Sequence, residues 1–356
     1  MESTISFELW VIIILFFAVI LLALYNVYTR QKSGKEKDQP YLQALKYMAE
    51  GENRLAVEKF KESVRENSSN VDAYIKLGTI LRNEGLYKNA TRIHKDLTLR
   101  GDLKPEELID VKRSLVLDYW YMNDYSKAEF YLKQLIEKKN LIDWATPYLV
   151  KIYEYREDWE KAFNILNKSS LSTEDKGKSK MAWLKVKQGQ KLVDSDSEKD
   201  ARIIFKEALK INNECAEAYL QLGDSYLREN RPSDAINAWS DLCKKVPDKA
   251  SLAFERLEKA WFEKGQFSKI EELYNSMLQE NEENLPAILA LSEIHRKKGE
   301  YDEAMKLLKG ALKKDLDLSP IQLQMVKVYM DKNLFKEAAN LALELIDKDY
   351  SNSASV

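Results

Sequence analysis

The sequence predicts an all-α fold in which a tandem array of helical hairpins follows one apolar N-terminal segment. Three observations predict it. Glycine and proline number only 11 and 7 among 356 residues, whereas an ordinary globular chain carries about 12% of the two together, which argues against turn-rich β folds and collagen-like repeats. The chain is 32% charged and 45% hydrophobic, the balance of long amphipathic helices rather than of disorder. A small residue also recurs at a nearly fixed interval between Pro40 and Tyr350. The formal charge of −2, from 56 basic and 58 acidic residues, offers no bulk attraction for nucleic acid or anionic lipid. Cys215 and Cys243 are the two cysteines and form no CxxC pair, which excludes a disulfide framework and a four-thiolate metal site and fits a reducing compartment.

Taken in chain order, residues 1–8 are a short leader carrying Glu2 and Glu8. Residues 9–29 read LWVIIILFFAVILLALYNVYT without a charge, and a helix of that length covers a hydrocarbon core of about 30 Å. Trp10 lies near one end, and Tyr25 and Tyr28 near the other, where aromatic belts meet headgroups. A cleaved signal peptide would need a basic leader and a small-residue cleavage site, and neither is present. The segment is therefore expected to be an uncleaved transmembrane helix. Arg30, Lys32, Lys35 and Lys37 follow it, so the positive-inside rule puts everything downstream in the cytoplasm. Residues 30–40 form a charged linker, 41–350 the repeat array and 351–356 a frayed tail.

Within the array the recurrent small position is Ala56, Ala90, Ala128, Ala162, Ala201, Ala235, Ile270, Ala304 and Ala338, with successive steps of 34, 38, 34, 39, 34, 35, 34 and 34. A helix-turn-helix unit with this period is the tetratricopeptide signature. The chain thus predicts an α-solenoid of about nine such repeats, near 37–70, 71–104, 109–142, 143–176, 182–215, 216–249, 251–284, 285–318 and 319–352. Twelve residues before the small position stands a second one, clearest in Leu77-Gly78 and Leu222-Gly223, with Gly189 alone in the fifth repeat. Nine before it comes a large side chain: Tyr47, Leu81, Tyr119, Tyr153, Leu192, Tyr226, Trp261, His295 or Tyr329.

The two small positions let the first and second helices of a repeat approach closely while large side chains fill the adjoining grooves. Val116, Val150, Glu258, Ser292 and Val326 replace the glycine and Ile270 replaces the alanine, so wider crossings are expected there. Gly85, Gly265 and Gly299 are placed to end first helices in the left-handed conformation. Pro286 and Pro320 start first helices, Pro232 starts a second helix, and Pro147 is expected within a first turn, where no intrahelical N–H is needed. The extra residues at 101–107 and 169–178 read as surface loops, and the acidic stretch 194–200 as a turn.

The stretch from Leu77 to Leu97 carries Leu77, Gly78, Arg82, Gly85, Ala90, Arg92, Ile93, His94 and Leu97, a pattern that resembles the second repeat of the lipopolysaccharide assembly protein B family of bacterial membrane-anchored regulators. Asp118-Tyr119 with Ala128-Glu129 is similar to that family's third repeat, Asp158 to Ala162 to its fourth, and Ala238-Trp239 with Pro247 to its sixth. The resemblance implies an adaptor in the bacterial inner membrane. In that family a single-pass span precedes cytoplasmic repeats, which help a membrane AAA-type protease degrade the deacetylase that commits carbon to lipid A. The span contacts a membrane protein that senses lipopolysaccharide. The family also ends in a rubredoxin-like module with two CxxC pairs. No such pairs occur in this sequence, and neither metal nor cofactor is expected.

No phosphate loop, HExxH or G-x-S-x-G occurs, so the motifs point to no enzyme. His94 and His295 fall on helix positions facing the repeat core and read as structural. Partner binding has better candidates. Helix positions that face the concave side of a tetratricopeptide superhelix hold Arg113, Trp120, Tyr121, Trp144, Lys151, Tyr155 and Trp183 in the third to fifth repeats, and aromatic and Arg side chains dominate interface hot spots. Two roles fit them: a groove for an extended or helical partner segment, or plugs between adjacent helices. Two functions likewise stay open, the protease adaptor and a general scaffold for an envelope, secretion, pilus or cell-division complex.

Overall fold

The computed structural model describes residues 19–25, 39–137, 141–313 and 318–353. The leader, most of the expected span, nearly all of the linker and residues 354–356 lie outside these. Within the span, residues 19–25 are helical, and Val19, Leu21, Leu22 and Leu24 are exposed. Among the described residues no helix is long and apolar enough to cross a membrane.

All regular elements among the described residues are helical, and they fall into two units, 1–157 and 158–356. The first contains α1 (Gln39–Ala49), α2 (Asn53–Glu66), α3 (Val71–Asn83), α4 (Tyr87–Thr98), α5 (Pro105–Tyr121), α6 (Tyr125–Ile136) and α7 (Ile142–Tyr155). The second contains α8 (Trp159–Lys168), α9 (Asp175–Val193), α10 (Glu198–Ile211), α11 (Ala216–Arg228), α12 (Pro232–Lys245), α13 (Ser251–Glu263), α14 (Phe267–Glu280), α15 (Leu285–Lys297), α16 (Tyr301–Ala311), α17 (Leu318–Asp331) and α18 (Phe335–Ser353). Within each unit, successive helices pack as antiparallel pairs on their neighbours, as the repeat period requires.

The small residue on each first helix faces a residue sixteen positions later on the second. A Cβ added at Gly78 would lie 2.4 Å from His94 Nε2, one at Gly189 2.3 Å from Phe205 Cε1, and one at Gly223 2.2 Å from Trp239 Nε1. In the same register Ala44 accompanies Phe60, Val116 accompanies Leu132 and Ser292 accompanies Leu308, and all six are buried. A larger residue on the first helix is thus met by a smaller one on the second, and a ring fits only opposite glycine or alanine. Glu258 breaks the size rule but keeps the contact, because buried Tyr274 donates its hydroxyl to Glu258 Oε1 at 2.6 Å.

The turn between the two helices is equally regular. Gly51, Gly85, Asn123, Glu157, Asp196, Asn230, Gly265, Gly299 and Asn333 all adopt left-handed φ, from 55° to 80°, and each lies five residues before the small position. Glycine was expected at three of these places. Asparagine and aspartate tolerate the conformation, and Glu157 holds it without that advantage. The next residue closes the turn with a backbone bond to the large side chain's own carbonyl, as in Leu86 N to Leu81 O at 2.8 Å and Arg231 N to Tyr226 O at 2.9 Å. This is the six-to-one bond of a Schellman motif. Side chains of Asn70, Asp124, Asp158 and Asn284 cap helix starts by accepting a backbone N–H three residues on, which satisfies donors that the helix leaves free.

The structure corrects three expectations. The two insertions are loop only in part: residues 101–104 are turn and coil, and helical structure takes most of the rest. The first lengthens α5 to 17 residues, starting at Pro105 with Glu107 Oε2 accepting the Lys104 N–H at 2.8 Å. The second folds into a 3-10 turn, Ser170–Thr173, and the start of the 19-residue α9. Gly177 in that start is buried, and a Cβ there would meet the Leu171 carbonyl oxygen at 1.7 Å, so the turn sits directly on α9. Pro147 is the sixth residue of α7 rather than part of its first turn, where proline forfeits an intrahelical bond. His295 is half-buried and bonded to Glu300 through Nδ1 at 2.6 Å, so it lies at the edge of the core and not inside it, whereas His94 is fully buried.

Size matching across the crossing yields a prediction. Gly223→Val forces a branched side chain into the Trp239 ring and is expected to destabilise the second unit by about 1–3 kcal/mol, the usual cost of overpacking. Adding Trp239→Leu should recover part of that loss, because Val with Leu is a pairing the fold already uses. Thermal melts followed by circular dichroism check this; strictly additive losses in the double variant would refute the size rule.

Candidate protein-interaction face

The aromatic face of the first unit stands on a buried polar network. Asp118 on α5 is fully buried and accepts from His94 Nδ1 at 2.5 Å and from Arg82 Nη1 at 2.9 Å. His94 Nε2 lies 3.3 Å from the Ile75 carbonyl, and Arg82 Nη1 also reaches the Ser114 carbonyl at 3.4 Å. Both carboxylate oxygens are therefore engaged, as a buried charge requires. Arg82 comes from α3, His94 from α4 and Asp118 from α5, so the network joins the second repeat to the third. All three residues belong to the sequence patterns that resemble the family.

Two residues beyond Asp118, Trp120 emerges on the other side of α5. Its ring meets Tyr148 edge-on at 5.0 Å and Tyr125 at 5.3 Å, while Tyr148 contacts Trp144 at 5.2 Å and Tyr125 contacts Tyr155 at 5.4 Å. The Arg113 guanidinium lies 5.1 Å over Trp144 and the Lys151 ammonium 5.8 Å over Trp120. Of the side chains expected to line a groove, the structure thus gathers Arg113, Trp120, Trp144, Lys151 and Tyr155 around one run of rings. Tyr121 stacks instead on Tyr87 at 5.9 Å. Trp120, Trp144 and Tyr148 are half-buried and Tyr155 is exposed, so the same rings fill space between helices and present an outer surface.

Trp183 belongs to the second unit, where it meets Trp159 edge-on at 5.7 Å and lies beneath Lys180 at 4.0 Å. It borders a cavity of about 650 Å³ that Leu220, Leu252 and Arg256 also line. Sequence reasoning missed Tyr125 and Tyr148. Tyr148 lies four residues after Trp144, on the same side of α7, and that spacing was the available signal.

Several polar groups elsewhere in the second unit pair with one another. Arg202 bonds Ser225 Oγ at 3.1 Å and Glu229 at 2.7 Å. Glu293, bound by Arg296 and Gln324, is held down to about 2 chiefly by the Arg296 hydrogen bond. Glu271, His295 and Glu300 place one possible ligand atom each within 4.8 Å of one another, but Glu271 is ion-paired with Lys298. The two thiols are poor nucleophiles: burial raises Cys215 and pushes Cys243 up to about 12.

Asp118→Ala should expose the cost of leaving Arg82 buried without its counter-ion, about 3–5 kcal/mol. The loss is expected as earlier protection failure in α3 to α5, read by amide hydrogen exchange, with the second unit unaffected. Unchanged exchange in those helices would show that the network contributes little.

The tetratricopeptide repeat family profile matches residues 262–320. Lipopolysaccharide assembly protein B of Escherichia coli (strain K12) is 21% identical over 276 residues, covering 75% of this chain and 71% of that protein. The protein of the same name from Haemophilus influenzae is 23% identical over 252 residues, covering 66% and 63%. Among solved structures, MamA matches with 19% identity, a TM-score of 0.33, and coverage of 47% of this chain and 96% of that one. By its fold and repeat match the chain is a tetratricopeptide-repeat protein, and it is similar to lipopolysaccharide assembly protein B over 66–75% of its length.

Proposed function

We propose that this protein is a single-pass adaptor of the bacterial inner membrane whose cytoplasmic repeats promote proteolysis of the lipid A deacetylase by a membrane AAA-type protease. Its relatives' name and its repeat fold support a protein-interaction adaptor. The observation that carries the binding step is the run of half-buried rings from Trp144 through Tyr148 and Trp120 to Tyr125, with exposed Tyr155 at its end. Rings already fixed against one another give up little freedom when a partner covers them. The uncharged segment 9–29 and the basic residues after it support the anchor and its orientation.

Deleting the gene is expected to lengthen the deacetylase's half-life in pulse-chase measurements while the protease stays active. Affinity purification from detergent-solubilised membranes should recover protease or deacetylase with the wild-type chain, and Trp144→Ala should weaken that recovery by about 2 kcal/mol or more. An unchanged half-life sinks the protease role and leaves the general scaffold.

Topology has its own test. A C-terminal alkaline phosphatase fusion, active only outside the cytoplasm, is expected to be silent, and a green fluorescent protein fusion bright. The reverse pattern overturns the orientation.

A further inference from the structure

The aromatic face of the first unit carries two cations whose charge the protein does not close. Lys127, Lys133 and Arg156 in the same unit each pair with a carboxylate, at 2.6 Å for Lys127 with Asp124 and 2.7 Å for Lys133 with Glu129. Lys151, by contrast, forms no ion pair among the described residues; it is exposed, and its contact is the face of Trp120. Arg113 has one carboxylate near it, exposed Asp110 at 3.9 Å, and its Nε is buried without an acceptor. A ring face attracts a cation but accepts few hydrogen bonds from it, so most N–H donors of Arg113 and Lys151 are available to an incoming group.

From this juxtaposition we infer that the face recognises an extended acidic segment of a protein partner, with carboxylates meeting Arg113 and Lys151 and apolar side chains lying on Trp144, Tyr148 and Trp120. The charge chooses the occupant. A basic or purely apolar segment would leave both cations desolvated and unpaired, which is costly, whereas a carboxylate satisfies the guanidinium and the ammonium with charge-assisted bonds. An extended segment sends alternate side chains to one side, so acidic residues interleaved with apolar ones fit a surface on which cations flank rings. This rests on the adaptor reading and adds the partner's chemistry to it.

The test uses the full chain in detergent and a fluorescein-labelled peptide alternating glutamate and leucine, with a lysine–leucine peptide as its counterpart. Anisotropy is expected to rise with the acidic peptide only and to fall off with added salt. Combining Arg113→Gln with Lys151→Gln should weaken binding by about tenfold or more, as loss of charged contacts does, with circular dichroism unchanged. Lys306→Gln, which removes an exposed lysine 3.6 Å from Glu303 on its own helix, should leave binding intact. Absence of acidic-peptide binding, equal binding of the basic peptide, or full binding by the double variant each overturns the inference. If membrane partners are still captured by the double variant but lost with Trp144→Ala, the charge argument fails and the adaptor stands. If no variant and no wild-type chain captures protease or deacetylase, the adaptor reading fails whatever the peptides do.

Discussion

The close crossing of the two helices within each repeat is the constraint on which the rest of the molecule depends. Gly78, Gly189 and Gly223 leave no room for a methyl because His94, Phe205 and Trp239 occupy that space, and where Val116 or Ser292 takes the glycine's place the opposing residue is leucine. What recurs is therefore a contact between two side chains sixteen residues apart, in which a large residue on one helix is usually met by a small one on the other, and not either identity. A left-handed residue five positions before each small residue, followed by the six-to-one backbone bond in eight of the nine turns, turns the chain back at the same point. Interiors packed to crystal density transmit such a fixed approach to their neighbours, so each crossing helps to set where the next repeat stacks.

That relation explains why core and aromatic face can share a helix. Asp118 and Trp120 are two residues apart on α5, which places them on different sides. Asp118 points inward and ties α5 to α3 and α4 through Arg82 and His94, while Trp120 meets Tyr125 on α6 and Tyr148 on α7. The inward side chain fixes the helix, and the outward one is held in place by that attachment. In an array where each repeat contacts only its neighbours, positioning of this kind has to be local.

Much of this was legible in the sequence because the crossing imposes a period: alanine, glycine and the large side chain could be counted at fixed offsets. Less was legible where the physical requirement admits several residue types. Gly85, Gly265 and Gly299 announced left-handed turns, but Asn123, Asp196, Asn230, Asn333 and Glu157 meet the same requirement without glycine. Added length at 101–107 and 169–178 looked like loop because it interrupts the period, yet Pro105 can open a helix and Gly177 allows one to pack on a turn. The aromatic face was half legible. Helix position found Trp120, Trp144, Lys151 and Arg113, whereas Tyr148 and Tyr125 join it through contacts between helices that a rule confined to one repeat does not contain.

Those contacts also show that a ring between helices can still keep an outer surface, so the two roles expected of these side chains are not exclusive. Trp120 and Tyr148 meet at 5.0 Å and Tyr125 and Tyr155 at 5.4 Å, so each ring is held by another and is only half-buried or exposed. A ring fully sunk between helices would have no surface to offer, and a ring free in water would lose rotational freedom on meeting a partner. Rings held edge to edge pay that ordering cost when the protein folds. The face is thus fixed by the fold itself, and its chemistry is that of mutually packed rings with two cations over the faces of Trp144 and Trp120.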